Sequence, residues 1–368
     1  MRNKLLKNTE WSVLIVSIIL FIIGTIALFS ATQTTELGEF VKQIRWFCIS
    51  IPFFILAMTV DYNIIVKFSP LLYVISIGML IGVLFTEPIS GASSWFKIGE
   101  SFTFQPSEIA KVAVILFMAL ILNKLQIKGR REINKIWKLF IYFLFMAIPI
   151  LLVIKQPDYG TAMAFITALL CMLFVSGLDK RYIIFAVIVI AVATPIIYTH
   201  LPAHAVSRID SFLHPEKDIR GASYNMYQSK LAIGAGQVFG MGLLKGNQTQ
   251  LGFLHPKTTD FIFAVIGEEL GFVATGTIVI LYIILITKAI YIAKTAKDNI
   301  GSYIAIGIAG MFIFYMVENI GMTIGLLPIT GVPLPFVSYG GTSLITNFIC
   351  IGLLLNISSR RQKAIFMG

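Results

Sequence analysis

WSVLIVSIILFIIGTIALFS, residues 11–30, runs for twenty residues without a charge. About twenty helical residues cross the roughly 30 Å hydrocarbon core of a bilayer, and a helix satisfies its own backbone hydrogen bonds while doing so. This stretch therefore reads as a membrane span. It lacks a convincing cleavage site, so it is not expected to be a removable leader. The same kind of text recurs down the chain, at roughly 11–30, 44–60, 68–86, 109–122, 138–154, 161–177, 182–199, 261–287, 302–327 and 337–357. Composition agrees: 57% of the 368 residues are hydrophobic, only 13% are charged, and the mean hydropathy is +0.86. A soluble domain carries roughly 25% charged residues. The expected fold is all-α, a polytopic membrane protein with ten transmembrane helices forming a single domain over 1–368.

The net charge of +11 would suggest a nucleic-acid partner if it were clustered on one soluble face. Its distribution follows topology instead. Arg2, Lys4 and Lys7 precede the first span, and Lys67 follows the second. Lys124, Lys128, Arg130, Arg131, Lys135 and Lys138 follow the fourth, and Lys180 and Arg181 the sixth. Lys288, Lys294 and Lys297 follow the eighth, and Arg360, Arg361 and Lys363 the tenth. Only Lys42, Arg45, Lys97 and Lys155 lie near the short loops of the other face. By the positive-inside rule both termini are cytoplasmic. Residues 200–259 then form a large extracellular loop between spans seven and eight. That loop holds all four histidines and, within 221–252, seven glycines. Its stretch 224–244 reads as an interfacial or re-entrant piece. Cys48, Cys171 and Cys350 sit inside apolar segments, so no disulfide framework is expected.

On this topology the even-numbered spans begin outside, and four begin with polar text. These are QPSEIAK (105–111), QPDYGTA (156–162), TTDFIF (258–263) and the approach PITGVPLPFVSYGGTS (328–343). Helix starts expose unpaired N–H groups and partial positive charge, so converging starts would build a donor-rich cavity able to receive a diphosphate. Plainer readings stand beside each. QPSE and QPDY can be ordinary capped starts, and Glu108 and Lys111, three apart, an ion pair. The 325–341 stretch can be a tight turn, and Asp260 a first-turn carboxylate stabilised by the helix dipole. Intramembrane charges are nonetheless costly enough to mark function. His200 and His204 are four apart, but the chain has no HExxH and no Cys/His quartet that would make them a zinc site.

These motifs together resemble the SEDS family of bacterial cell-wall proteins (shape, elongation, division and sporulation). NQTQLGFL (247–254), TDFIFAVIGEELG (259–271), RIDSFLHPEKD (208–218) and GMTIGLLPITGVPLPFVSYGGTS (321–343) carry the likeness, with QPSEIAK and QPDYGTA. It covers nearly the whole chain and leans towards the RodA-like branch. The resemblance implies a ten-span peptidoglycan glycosyltransferase of the plasma membrane. Such an enzyme polymerises lipid II at the outer face, during cell elongation, beside a class B penicillin-binding protein. It places the family's required aspartate on Asp260 and other site residues on Glu108, Lys111, Gln156, Pro157 and Asp158. Ser338, in the SYGG stretch, joins the expected substrate-binding residues. One departure is plain: where family members commonly read Leu-Pro-Glu-x-His, this chain reads Leu254-His255-Pro256-Lys257-Thr258.

The chemistry expected is general-base removal of a proton from the acceptor sugar by Asp260. Lys111, Arg208, Lys230, Lys245 and the helix starts are candidates to neutralise the departing diphosphate. A divalent cation could do so instead, though the sequence shows no cage for one. Glu268 and Glu269, about 12 Å deeper along a helix, read as structural acids bonded to neighbouring spans. Two other functions use the same features: a lipid-linked precursor flippase or transporter, and a non-enzymatic scaffold for the penicillin-binding protein. The polar features gather near one face, not in two matched halves, which favours the enzyme.

Overall fold

The computed structural model describes residues 8–33, 37–88, 93–98, 102–199, 203–215 and 223–361. Arg2, Lys4, Lys7, Lys363, His200 and the last three residues of the 208–218 motif lie outside them. Chain order runs α1 (Ser12–Ala31), α2 (Gly38–Thr59), a short α3 (Tyr62–Lys67) and α4 (Ser69–Gly82). A small antiparallel ribbon follows, β1 (Phe96–Ile98) and β2 (Phe102–Phe104), with Phe96 opposite Phe104. Then come α5 (Pro106–Leu125), α6 (Ile136–Lys155), α7 (Tyr159–Val175) and α8 (Lys180–Thr199). The expected loop holds α9 (Ala203–Leu213), α10 (Tyr224–Ala235) and α11 (Asn247–Gln250). The chain ends with α12 (Ile262–Thr295), α13 (Asn299–Ile324) and α14 (Gly341–Ser359). Each of the ten apolar segments thus coincides with a helix. Six of these, α1, α2, α6, α12, α13 and α14, are long and apolar enough to cross a membrane by length and composition.

Burial sorts the helices into a centre and a rim. From Pro106 to Ala119, α5 is buried on nearly every side, and α13 and α14 are comparably enclosed. A helix that is apolar all round belongs in such a centre. On the rim, α2 and α6 present Leu56 and Phe140 outward, each more than 60% exposed, as side chains facing hydrocarbon would be. Between apolar helices there is no hydrophobic drive to associate, so small residues and close backbone contact hold the bundle. At Gly310 of α13, an added Cβ would stand 2.9 Å from Cys171 Sγ of α7.

The eighth apolar segment, read as one span, is interrupted. Gly271 has φ 77° and ψ −170° inside α12, a conformation that L side chains avoid. A break at membrane depth frees backbone groups that must be satisfied by protein. The irregular segment after α10 supplies the partners. Met241 N donates to Glu268 O at 2.9 Å and Gly242 N to Glu269 O at 3.0 Å, while Phe272 N donates to Gln237 O at 2.9 Å and Val273 N to Val238 O at 3.1 Å. The 224–244 stretch is therefore a twelve-residue helix followed by a clamp on the break. It leaves 262–270 as a short helix with Asp260 before its start and Glu268 and Glu269 near its end.

Candidate active site at the converging helix starts

The helix starts singled out in the sequence meet. Gln105, just before α5, donates through Nε2 to Asp158 Oδ2 at 3.1 Å. Its backbone N–H donates to Thr342 Oγ1 in the first turn of α14 at 3.3 Å. Asp158 caps α7 by accepting from Thr161 N at 3.1 Å. A methyl at Gly160 would strike Val332, so the start of α7 lies directly against the loop between α13 and α14.

That loop also grips the residues before α12. Tyr339 N donates to Thr258 O at 2.9 Å, and Ser338 Oγ to Thr259 O at 2.6 Å. Asn319 of α13 donates from one amide to Asp260 O at 2.9 Å and to Val332 O at 2.8 Å. Ser338 is itself held, accepting from Leu334 N at 2.8 Å, while its carbonyl accepts from Gln43 Nε2 of α2 at 3.2 Å. Phe336, with φ 68°, adopts the left-handed region but is wedged beside Phe348 and Phe312, ring centroids 5.4 and 5.8 Å away. Packing of this kind is what sustains a strained residue near a functional site.

All these bonds fix the backbone around Asp260 and leave its carboxylate for other work. The side chain is partly accessible, bordered by Gly331, where an added Cβ would sit 3.4 Å from Asp260 Oδ2. Burial raises its pKa from 3.8 to about 6, against the opposing pull of the Thr259 hydrogen bond and the charges of Arg208 and His255. A carboxyl so tuned lies nearer to working pH as a proton acceptor, while remaining mostly ionised at neutrality. Arg208, exposed on α9, donates to Thr330 O at 3.4 Å, one residue from Gly331. In the departing motif, Lys257 Nζ donates to Thr249 O at 2.8 Å and ties this stretch to α11. Desolvation lowers its pKa.

Other expected site residues are placed differently. Glu108 and Lys111 form a 2.9 Å ion pair, both 2% exposed, and Lys111 also bonds the Tyr315 hydroxyl and lies 4.4 Å from that ring's centre. Glu108 Oε2 has no partner. Gln156 is fully buried, and its amide donates to Leu80 O at 3.0 Å, a contact between helices. Lys230 is exposed and packs over Gly325, which caps the C-terminal end of α13, where carbonyls and the helix dipole favour a cation. Lys245, also exposed, lies over Gly242 beside the α12 break. Glu269 does accept from a spanning helix, from Ser30 Oγ at 2.7 Å. Glu268 instead binds within the expected loop, accepting from Gln248 N at 2.6 Å and from Thr249 N and Oγ1 at 3.0 and 2.7 Å. Among the described residues no three His, Cys, Asp or Glu side chains gather as metal ligands. Sequence reading passed over Gln43, Glu318 and Asn319. The signal was available for the last two, an acid and an amide inside the apolar run 302–327.

An apolar bundle whose polar helix starts meet around one partly accessible aspartate defines a multi-pass helical membrane protein. The chain belongs to the FtsW/RodA/SpoVE family of cell cycle proteins, whose model matches residues 10–363. It is 36% identical to peptidoglycan glycosyltransferase MrdB of Escherichia coli K12 over 97% of each chain. Stage V sporulation protein E of Bacillus subtilis is 34% identical, over 94% of this chain and 95% of that one. Among solved structures, a peptidoglycan synthase complex that coordinates polymerization and crosslinking contains a chain matching with TM-score 0.82. It is 26% identical, over 95% of this chain and 97% of the other.

Proposed function

We propose that this chain is a peptidoglycan glycosyltransferase that polymerises lipid II at the outer face of the plasma membrane during cell elongation. In this reading it is one domain of ten spans, both termini are cytoplasmic, and 200–259 lies outside. Asp260 removes the proton from the acceptor sugar hydroxyl as that oxygen bonds to the donor's anomeric carbon. The bond from that carbon to the diphosphate breaks with inversion, and its electron pair leaves with the undecaprenyl diphosphate. A positioned base of this kind contributes about 10²–10⁴-fold. Arg208, adjacent through Thr330, meets the developing negative charge, with Lys230, Lys245 and the convergent helix starts as further sources of positive potential. The buried Glu108–Lys111 pair and Asp158 hold the starts of α5 and α7 in place.

The observation that carries this reading is the Asp260 carboxylate itself: backbone pinned from three sides, side chain partly accessible, pKa raised to about 6. The family likeness supplies the substrate class, and a class B penicillin-binding protein is the partner that would crosslink the product. The test is purified protein in liposomes given lipid II. Wild type makes glycan chains and the Asp260→Ala protein, correctly folded, makes none. Full polymerisation by the variant removes Asp260 from the mechanism. Lipid translocation without polymerisation by wild type would indicate a flippase, and neither activity would indicate a scaffold.

A further inference from the structure

Glu318 lies in α13, 8% exposed, where a charge is expensive. None of the ion pairs among the described residues includes it. Its hydrogen bond is to the loop: Thr330 Oγ1 donates to Glu318 Oε1 at 2.8 Å. The next residue, Asn319, donates to Val332 O at 2.8 Å and to Asp260 O at 2.9 Å. Two consecutive side chains of one rigid helix therefore grip the loop on both sides of Gly331. Gly331 has φ 76°, is exposed, and stands against Asp260 Oδ2. On its other side, Thr330 O accepts from Arg208 at 3.4 Å. The Thr330 residue is thus shared: its hydroxyl goes to Glu318 and its carbonyl to the guanidinium.

We propose that Glu318 is a positioning residue that, through the Thr330 hydroxyl, fixes the Thr330–Val332 strap against which the Asp260 carboxylate and the Arg208 guanidinium are set. The Thr330 hydroxyl needs an acceptor at this point, and the Glu318 side-chain oxygen supplies it from within an otherwise apolar helix. Without it α13 holds the strap at Val332 alone, and Thr330 with its Arg208 contact is free to turn. Catalytic groups displaced by about 1 Å can lose on the order of 10²-fold in rate. The consequence for catalysis rests on the glycosyltransferase reading above, while the strap itself does not.

The test uses the full chain in liposomes, as Glu318→Ala, Glu318→Gln, Thr330→Val and the Glu318→Ala/Thr330→Val double variant. Two readouts are taken: the rate at which a water-soluble carbodiimide labels Asp260, followed by peptide mass spectrometry, and the kinetics of lipid II polymerisation. Glu318→Ala and Thr330→Val should each raise labelling several-fold. Each should lower kcat by roughly 10- to 100-fold with KM little moved, and the double variant should be no worse than either. Glu318→Gln keeps an acceptor oxygen and should restore most of both. Labelling at the wild-type rate in Glu318→Ala overturns the proposal. So does an unchanged kcat, damage by Gln equal to that by Ala, or additive losses in the double variant. A wild-type protein that makes no glycan would remove the enzymatic reading alone, and the labelling arm would still judge the strap.

Discussion

Replacing Asp260 by asparagine should stabilise the protein as it removes the base. Burial lifts this carboxyl from 3.8 to about 6, and a rise of that size corresponds to about 3 kcal/mol held against folding. The folded state binds the proton more tightly than the unfolded chain, so the cost is full above pH about 6. It shrinks as pH falls from about 6 towards 3.8 and is absent below. Asparagine keeps the shape without the charge but brings a buried amide of its own, so the net gain at neutral pH should be about 1–3 kcal/mol. The assay is the unfolding midpoint of wild type and Asp260→Asn in the same detergent, from about pH 4 to about pH 8. The variant should be the more stable at the upper end and should lose that advantage towards the lower. A variant that is less stable at neutral pH, or an advantage that does not change with pH, would refute the assignment of a desolvated carboxylate.

Gly271→Ala should cost about 1–3 kcal/mol from its φ of 77° alone, and more because the new methyl meets the 238–240 backbone. Unfolding midpoints would show it, together with lost protection of the Phe272 and Val273 amides against hydrogen exchange. Glu108→Gln strands the buried Lys111 ammonium and should cost about 3–5 kcal/mol, whereas Glu108→Gln with Lys111→Met should recover much of it. A double-mutant cycle in thermal unfolding measures the difference. Glu268→Ala removes the acceptor for Gln248 N, Thr249 N and Thr249 Oγ1 and should cost about 1–3 kcal/mol. Proteolysis should then cut the 246–254 stretch faster than in wild type.

The bundle was legible because a membrane leaves the chain little choice: a run of about twenty apolar residues must be helical to satisfy its backbone. The break in α12 was not. Glycine is ordinary in such helices, and the groups that make Gly271 tolerable, Gln237 O and Val238 O, are supplied by another part of the chain. The β1–β2 ribbon escaped because strands of three residues carry no usable alternation. At the site, Asp260 stood out by motif and by its place between loop and apolar run. Gln156 looked equally suited to ligand or to structure, and only the fold reveals that its amide faces Leu80, 76 residues earlier. Glu318 was visible as an acid in an apolar run, yet its partner Thr330 is twelve residues on, beyond a helix end whose direction the spacing does not fix.

The most direct measurement of the claim that Asp260 accepts the proton is the pH dependence of lipid II polymerisation by wild-type protein in liposomes. The account predicts a kcat/KM that climbs tenfold per pH unit at low pH and levels off above about 6, where the carboxyl is ionised. A rate that stays flat from about pH 5 to about pH 8 would contradict it.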